Sequence, residues 1–170
     1  MLTKDQKRYL EKIPASKRVK IYLFDKKVQK IAENIIQSVK EICPDLKVVH
    51  MGASALGIAG QKDLDIYAFS EPKDFNKYLP RLTKLFCKPK SKHETFIEWN
   101  FTRSGCSVEF YLTDPDSESM KQQIAAFETL RKDKKLLNKY ENLKMSMNGK
   151  SFKEYQRKKY EFFNKILARK

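Results

Sequence analysis

The sequence is poor in the residues that hold small domains together covalently. Its three cysteines, Cys43, Cys87 and Cys106, are an odd number with no Cys-x-x-Cys pair. That argues against a disulfide framework or a zinc ribbon and fits a reducing cytosol. Histidine is scarcer still. His50 and His93 are the only two, too few for a zinc site or a histidine-based triad. Of the five glycines, neither Gly57 nor Gly60 is followed by the Gly-Lys-Ser/Thr of a Walker A loop. No apolar run approaches the roughly 18 residues of a membrane span. Met1-Leu2-Thr3-Lys4-Asp5-Gln6 lacks the apolar centre of a secretory signal. A cytoplasmic protein without a membrane partner is expected.

Acidic residues are also short against basic ones: 21 Asp+Glu face 36 Lys+Arg, a formal net charge of +15. The excess is uneven. Residues 1–50 carry +6 and residues 131–170 carry +10, whereas residues 51–130 hold 11 acids against 10 bases. Two basic flanks therefore surround a centre that is not basic. Charge runs are commonly solvated helix faces; the sharper reading is a basic rim that grips polyphosphate around an acidic, metal-holding centre. With 170 residues, 41% hydrophobic and 12% aromatic, the chain has enough apolar material for one folded domain.

The apolar rhythm lays out the elements. Residues 3–13 read as a short helix or arm. Between about Lys17 and Ile42, Val28, Ile31, Ile35, Val39 and Ile42 recur at helical spacing, with Asp25 as an N-cap. Lys47–Met51 and Leu64–Phe69 read as strands, separated by a glycine-containing loop or short helix. Residues 73–86 form an amphipathic helix interrupted at Pro80. Phe96–Thr102 and Ser107–Leu112 flank Arg103-Ser104-Gly105-Cys106 as a hairpin. Helices follow at 118–131, 133–147 and 151–168. This order describes a small mixed sheet with helices packed on it, an α+β fold.

Asp63-Leu64-Asp65-Ile66 alternates carboxylate and apolar side chains. On a strand, period-two geometry turns Asp63 and Asp65 to one face and Leu64 and Ile66 to the core. Two carboxylates on one face repel unless a cation lies between them. Mg²⁺ answers that, because it takes oxygen ligands from one or two carboxylates and completes its shell with substrate phosphates. Downstream, Val108, Phe110 and Leu112 share a face, leaving Glu109 and Tyr111 on the other. If the two strands are neighbours, Glu109 joins the aspartates. Upstream, Gly52 permits close backbone approach to a phosphate and Ser54 offers a hydroxyl. Taken alone, Asp-x-Asp is usually a surface pair.

The spacing becomes specific when read together. A hydrophobic strand, Gly-small, nine intervening residues, Asp-x-Asp and a later strand carboxylate resemble the polymerase-β-type nucleotidyltransferase superfamily. The run from His50-Met51-Gly52-Ala53-Ser54 to Lys62-Asp63-Leu64-Asp65-Ile66 resembles, more narrowly, the signature of the GrpB (UPF0157) family. Phe127, Leu130-Arg131, Asp133, Tyr140, Leu143-Lys144, Tyr155, Lys159 and Phe162 fall where that family carries Phe-Arg-Asp, Tyr-x-x-Leu-Lys and Tyr-x-x-x-Lys. The chain departs from the pattern at Ala53 and Ser54, where Ser and Thr are common. It also departs at Asp63, which stands where the family has Pro, and at Glu109, in a strand where histidines are common.

The resemblance implies a nucleotidyltransferase fold over 1–170. Residues 1–46 would form a helical N-terminal part, 47–113 the mixed-sheet catalytic core and 114–170 a basic helical C-terminal part. It implies transfer of a nucleoside monophosphate from an NTP to a hydroxyl of RNA, protein or a small molecule. Asp63 and Asp65 would hold Mg²⁺ (or Mn²⁺), and Glu109 would join the metal and help deprotonate the attacking hydroxyl. Gly52, Ala53, Ser54 and Lys62 would hold the nucleotide's phosphates, with Arg131, Tyr140, Lys144 and Lys159 contributing from the helices. Two alternatives stand beside this. Arg131, Lys144 and Lys159 also suit plain surface positions, and Tyr140 and Tyr155 also suit the core. The fold could equally serve as a nucleotide- or RNA-binding module, or as an accessory to a nucleotide-using enzyme. His50 reads as a residue that packs or hydrogen-bonds at a strand end, His93 as solvated and Trp99 as core.

Overall fold

The computed structural model describes residues 2–168; Met1, Arg169 and Lys170, the ends of the expected domain span, lie outside the described residues. In chain order the elements are α1 (Lys4–Glu11), α2 (Lys27–Ile42), β1 (Lys47–Met51), α3 (Gly52–Leu56), β2 (Asp63–Phe69), α4 (Phe75–Phe86), β3 (Ser91–Lys92), β4 (Phe96–Arg103), β5 (Cys106–Thr113), α5 (Glu118–Lys132), α6 (Lys134–Ser146) and α7 (Phe152–Leu167). They fall into two units. One comprises residues 24–58 and 62–121; the other comprises 1–23, 59–61 and 122–170.

The first unit is built on a five-stranded sheet of order β1-β2-β5-β4-β3. All neighbours run antiparallel except the central pair, β2 and β5, which is parallel. The expected mixed α+β sheet is therefore present. One face of the sheet is apolar. Leu64, Ile66, Ala68, Val108, Phe110, Leu112 and Trp99 are wholly enclosed and pack with Val28, Ala32, Ile35 and Val39 of α2 and with Phe75, Tyr78, Leu82 and Phe86 of α4. Each such large apolar side chain contributes about 1.5–3 kcal/mol by leaving water. Trp99 also donates its indole N–H to the Cys87 carbonyl, 3.0 Å away. It is the core residue the sequence suggests.

Local chemistry sets the element ends. Asp25, expected as the N-cap of α2, stands one residue ahead of the cap position, which is Lys26; it accepts from the Lys27 N–H through its carboxylate (2.9 Å) and from the Val28 N–H through its carbonyl (3.1 Å). The hairpin joining β4 and β5 turns on Ser104 and Gly105, at φ +50° and +76°. This is the two-residue turn whose twist matches the strands. Two further expectations need correction. The helix does not begin near Lys17 but at Lys27, because residues 17–22 are drawn into backbone pairing elsewhere. Pro80 does not interrupt α4, which runs through it to Phe86; Pro80 lies on the exposed side, where its missing N–H costs least. The edge strand β3, two residues long, has no periodicity from which to be read.

The second unit is helical. Its core gathers Leu10, Ile13, Val19, Ile21, Ala59, Met147, Phe152 and Tyr155. An extended segment threads it. Val19 donates to the Lys150 carbonyl (3.0 Å), Gly149 donates to the Val19 carbonyl (2.8 Å), and Phe152 donates to the Lys17 carbonyl (2.9 Å). Tyr22 and Gly60 exchange two backbone hydrogen bonds of 2.8 and 3.0 Å. The Ala59 N–H, fully buried, donates to Glu141 Oε1 at 2.8 Å. The short segment 59–61 that precedes Lys62 and β2 is thus held by three hydrogen bonds, at Ala59 and Gly60.

Candidate active site on the polar face of the sheet

The second face of the sheet is chemically unlike the first. Residues that pair across strands share a face, so register identifies its members. Asp65 of β2 lies opposite Glu109 of β5, Asp63 opposite Ser107, and Tyr67 opposite Tyr111. Glu109 lies opposite Asn100 of β4, and Tyr111 opposite Glu98. The strands alternate as Asp-Leu-Asp-Ile-Tyr and Val-Glu-Phe-Tyr-Leu, so the polar member of each step turns away from the core. Asp63, Asp65, Tyr67, Glu109 and Tyr111 are all partly buried. The parallel pairing makes β2 and β5 neighbours, the relation the sequence reading left conditional, and sets Glu109 across from Asp65.

Gly52 completes this corner. Met51 pairs with Asp65, so the start of α3 abuts the second aspartate. Gly52 has φ +78°, and a Cβ there would run into the Asp65 carboxylate, with Cγ only 3.0 Å away. The glycine is required twice, by its backbone conformation and by the carboxylate lying against it. Ser54 is buried and its Oγ lies 2.8 Å from His50 Nε2. Burial depresses the His50 pKa to about 4, so the ring is neutral and the pair is a neutral hydrogen bond. His50 is thus a strand-end hydrogen-bonding residue, as expected. Lys62, exposed, takes a left-handed φ of +62°, a conformation uncommon for a residue with a side chain.

Two tyrosines not assigned a role from sequence belong to this face. Tyr67 and Tyr111 stack at 5.0 Å between ring centroids, and the Tyr111 hydroxyl donates to Glu109 Oε2 at 2.8 Å. Burial pushes the Tyr67 phenol well above its ordinary pKa, and Asp65, Glu109, Asp63 and Glu98 push it further. Burial first, then Glu109, Tyr67 and Glu98, likewise raise Tyr111. Four carboxylates therefore act on one phenol, a concentration of negative charge that favours cations. Glu98 is itself met by Lys90 at 2.8 Å. Its position was available from the alternation Phe-Ile-Glu-Trp-Asn in β4, which mirrors that of β5.

The donors suit a hard divalent ion by type, since all are anionic oxygens. They are not drawn together as they stand: among the described residues no group of three or more His, Cys, Asp or Glu is arranged to hold a metal. The remaining predicted residues lie in the helical unit. Arg131 is exposed and paired with Glu128 at 2.7 Å. Lys144 is only 4% exposed, its Nζ 5.1 Å from the Tyr140 ring centroid and 5.8 Å from that of Tyr155. Tyr140 is buried and stacked on Phe162 at 5.3 Å. Lys159, half-buried, approaches the Phe163 ring at 5.8 Å. His93 is exposed, with its ring stacked on Phe96.

The family model described as GrpB protein matches residues 18–169. A UPF0157 protein of Vibrio cholerae serotype O1 is 31% identical over 130 residues, covering 75% of this chain and 69% of that one. Among solved structures, one of Cid1, described by its RNA terminal uridylyl transferase activity, superposes with a TM-score of 0.54 at 12% identity. The match covers 82% of this chain but 43% of Cid1, so the chain spans less than half the length of that structure. No described helix is long and apolar enough to cross a membrane. On these matches the fold is that of the polymerase-β-type nucleotidyltransferases, and the chain belongs to the GrpB family.

Proposed function

We propose that the protein is a cytoplasmic, metal-dependent nucleotidyltransferase that moves a nucleoside monophosphate from an NTP to a hydroxyl. The observation that carries this is the register of β2 and β5, which sets Asp65 opposite Glu109 with Gly52 against Asp65. Asp63 and Asp65 would hold Mg²⁺ or Mn²⁺ arriving with the nucleotide. Two carboxylates are enough when phosphates supply further ligands. When bound, the ion neutralises charge on the phosphates and orients the attacking and leaving oxygens. The chain's own residues do the rest. Gly52 leaves its backbone open beside Asp65, and Ala53, Ser54 and Lys62 line the approach of the triphosphate. Glu109, kept in place by the Tyr111 hydroxyl, accepts the proton of the attacking hydroxyl as its oxygen bonds to the α-phosphorus and the bond to pyrophosphate breaks. The activity named for Cid1 supports RNA as one acceptor class, beside protein and small molecules.

The test uses the purified protein, Mg²⁺ or Mn²⁺, and each labelled NTP in turn, with total RNA or total protein as acceptor. Transfer of label that disappears in Asp65→Asn supports the reading. Failure of the wild type to bind any NTP in the presence of Mg²⁺ overturns it.

A further inference from the structure

The charge of the helical unit is concentrated on one element face. In α6, Lys134, Lys135, Asn138, Lys139, Asn142, Met145 and Ser146 are exposed, whereas Tyr140 and Lys144 are buried. At 3.6 residues per turn the exposed set occupies an arc of about 140°. That arc contains three lysines, two carboxamides and no acid. The acid within α6, Glu141, is turned inward onto the Ala59 N–H. Asp133, at the N-cap, is engaged by the Leu136 N–H at 3.0 Å. Lys132, at the end of α5, is also exposed.

Several lysines outside this face meet acids. Lys158 meets Glu154, Lys121 meets Asp116 and Lys90 meets Glu98. Among the described residues, none of Lys132, Lys134, Lys135 and Lys139 has an acidic group within ion-pairing distance. Four unmatched ammonium groups over little more than one helix repel one another unless an anion lies across them. Lys135 and Lys139 are separated by one helical turn, a rise of about 6 Å, so the partner must present repeated negative charge. A lipid surface fits poorly. Interfacial helices bury an apolar face in the bilayer, whereas in α6 Tyr140 is packed on Phe162 and Phe163 and Leu136, Leu137 and Leu143 are partly buried.

We infer that the exposed face of α6 is a binding surface for the phosphate backbone of a nucleic acid, with Lys132, Lys134, Lys135 and Lys139 on the phosphates and Asn138 and Asn142 beside them. This goes beyond the transfer reaction, since the surface binds whether or not chemistry follows.

The experiment measures binding of a labelled mixed-sequence 20-nucleotide single-stranded RNA, and the DNA of the same sequence, across a salt series. For single strands each phosphate neutralised contributes about 0.7 to the slope of log affinity against log salt. The triple variant Lys134→Gln, Lys135→Gln, Lys139→Gln should lower that slope by about 2 and weaken binding about a hundredfold at 0.1 M salt. Its urea midpoint should not move. A matched control, Lys26→Gln, Lys27→Gln, Lys30→Gln, removes the same charge from another exposed stretch and should leave the slope nearly unchanged. Equal losses in the two triple variants would overturn the assignment. So would binding to phosphatidylserine vesicles but to neither oligonucleotide.

Discussion

The two faces of the central sheet are made by the same strands and obey opposite rules. On one, Leu64, Ile66, Val108, Phe110 and Leu112 are fully enclosed by two helices. On the other, one residue away in each case, stand Asp63, Asp65, Tyr67, Glu109 and Tyr111. A single residue step separates the side chains that make the core from those of the candidate site. Substitutions on the first face should therefore read out as stability and those on the second as function, and variants can be arranged along that contrast.

Phe110→Ala should cost most. Phe110 packs on Phe86 at 4.7 Å and edge-on to Trp99 at 5.9 Å. Its loss should lower unfolding free energy by about 3–5 kcal/mol in urea titration, with nucleotide affinity falling only as the protein unfolds. Gly52→Ala lies between the two behaviours. A side chain at φ +78° pressed against Asp65 should cost about 1–3 kcal/mol and also abolish NTP binding. Retained binding would separate the glycine from the site.

Acid titration tests the apolar face at its edge. His50, paired with Ile66, titrates near pH 4 in the folded state against about 6.5 in the unfolded chain. Between these values the unfolded chain holds more protons. The stabilising contribution is thus complete above about pH 6.5 and is lost as the pH falls toward 4. His50→Gln should flatten that part of the stability profile. Tyr111→Phe removes the hydroxyl donated to Glu109 and should cost about 0.5–1.5 kcal/mol; a larger fall in kcat than in stability would mark Tyr111 as positioning Glu109. The smallest stability effect belongs to Asp65→Asn. It relieves carboxylate repulsion, so the urea midpoint should hold or rise while transfer is lost. If stability collapses instead, Asp65 is a structural residue and the contrast between faces fails there.

The contrast was legible because alternation is local. Asp-Leu-Asp-Ile and Val-Glu-Phe-Tyr state which side chains share a face without any knowledge of the partner strand. The parallel neighbour relation of β2 and β5 could only be posed as a condition, since register belongs to the assembled sheet. Gly52 was singled out for phosphate approach; its collision with Asp65 depends on β1 pairing with β2 and is invisible in one dimension. Lys144 shows the same limit. Its place in the chain suggested a phosphate clamp, but only packing reveals an ammonium enclosed beside two tyrosine rings. The segment from Lys17 carried no signal of its extended state, because its hydrogen-bond partners lie near Gly149 and at Gly60.

That last arrangement bears on how the chain is made. The Ile21 N–H is held by the Asn148 side chain, 127 residues later, and Val19 pairs with Gly149 and Lys150. A ribosome adding about 5–20 residues per second leaves this stretch waiting roughly 6–25 seconds for its partners. During that interval Val19 and Ile21, destined for the interior, are open to other contacts. The sheet unit has all its strands once Thr113 has emerged, so it can close first. The helical unit must finish last, so Val19 and Ile21, made well before the strands, are among the last residues to be fixed.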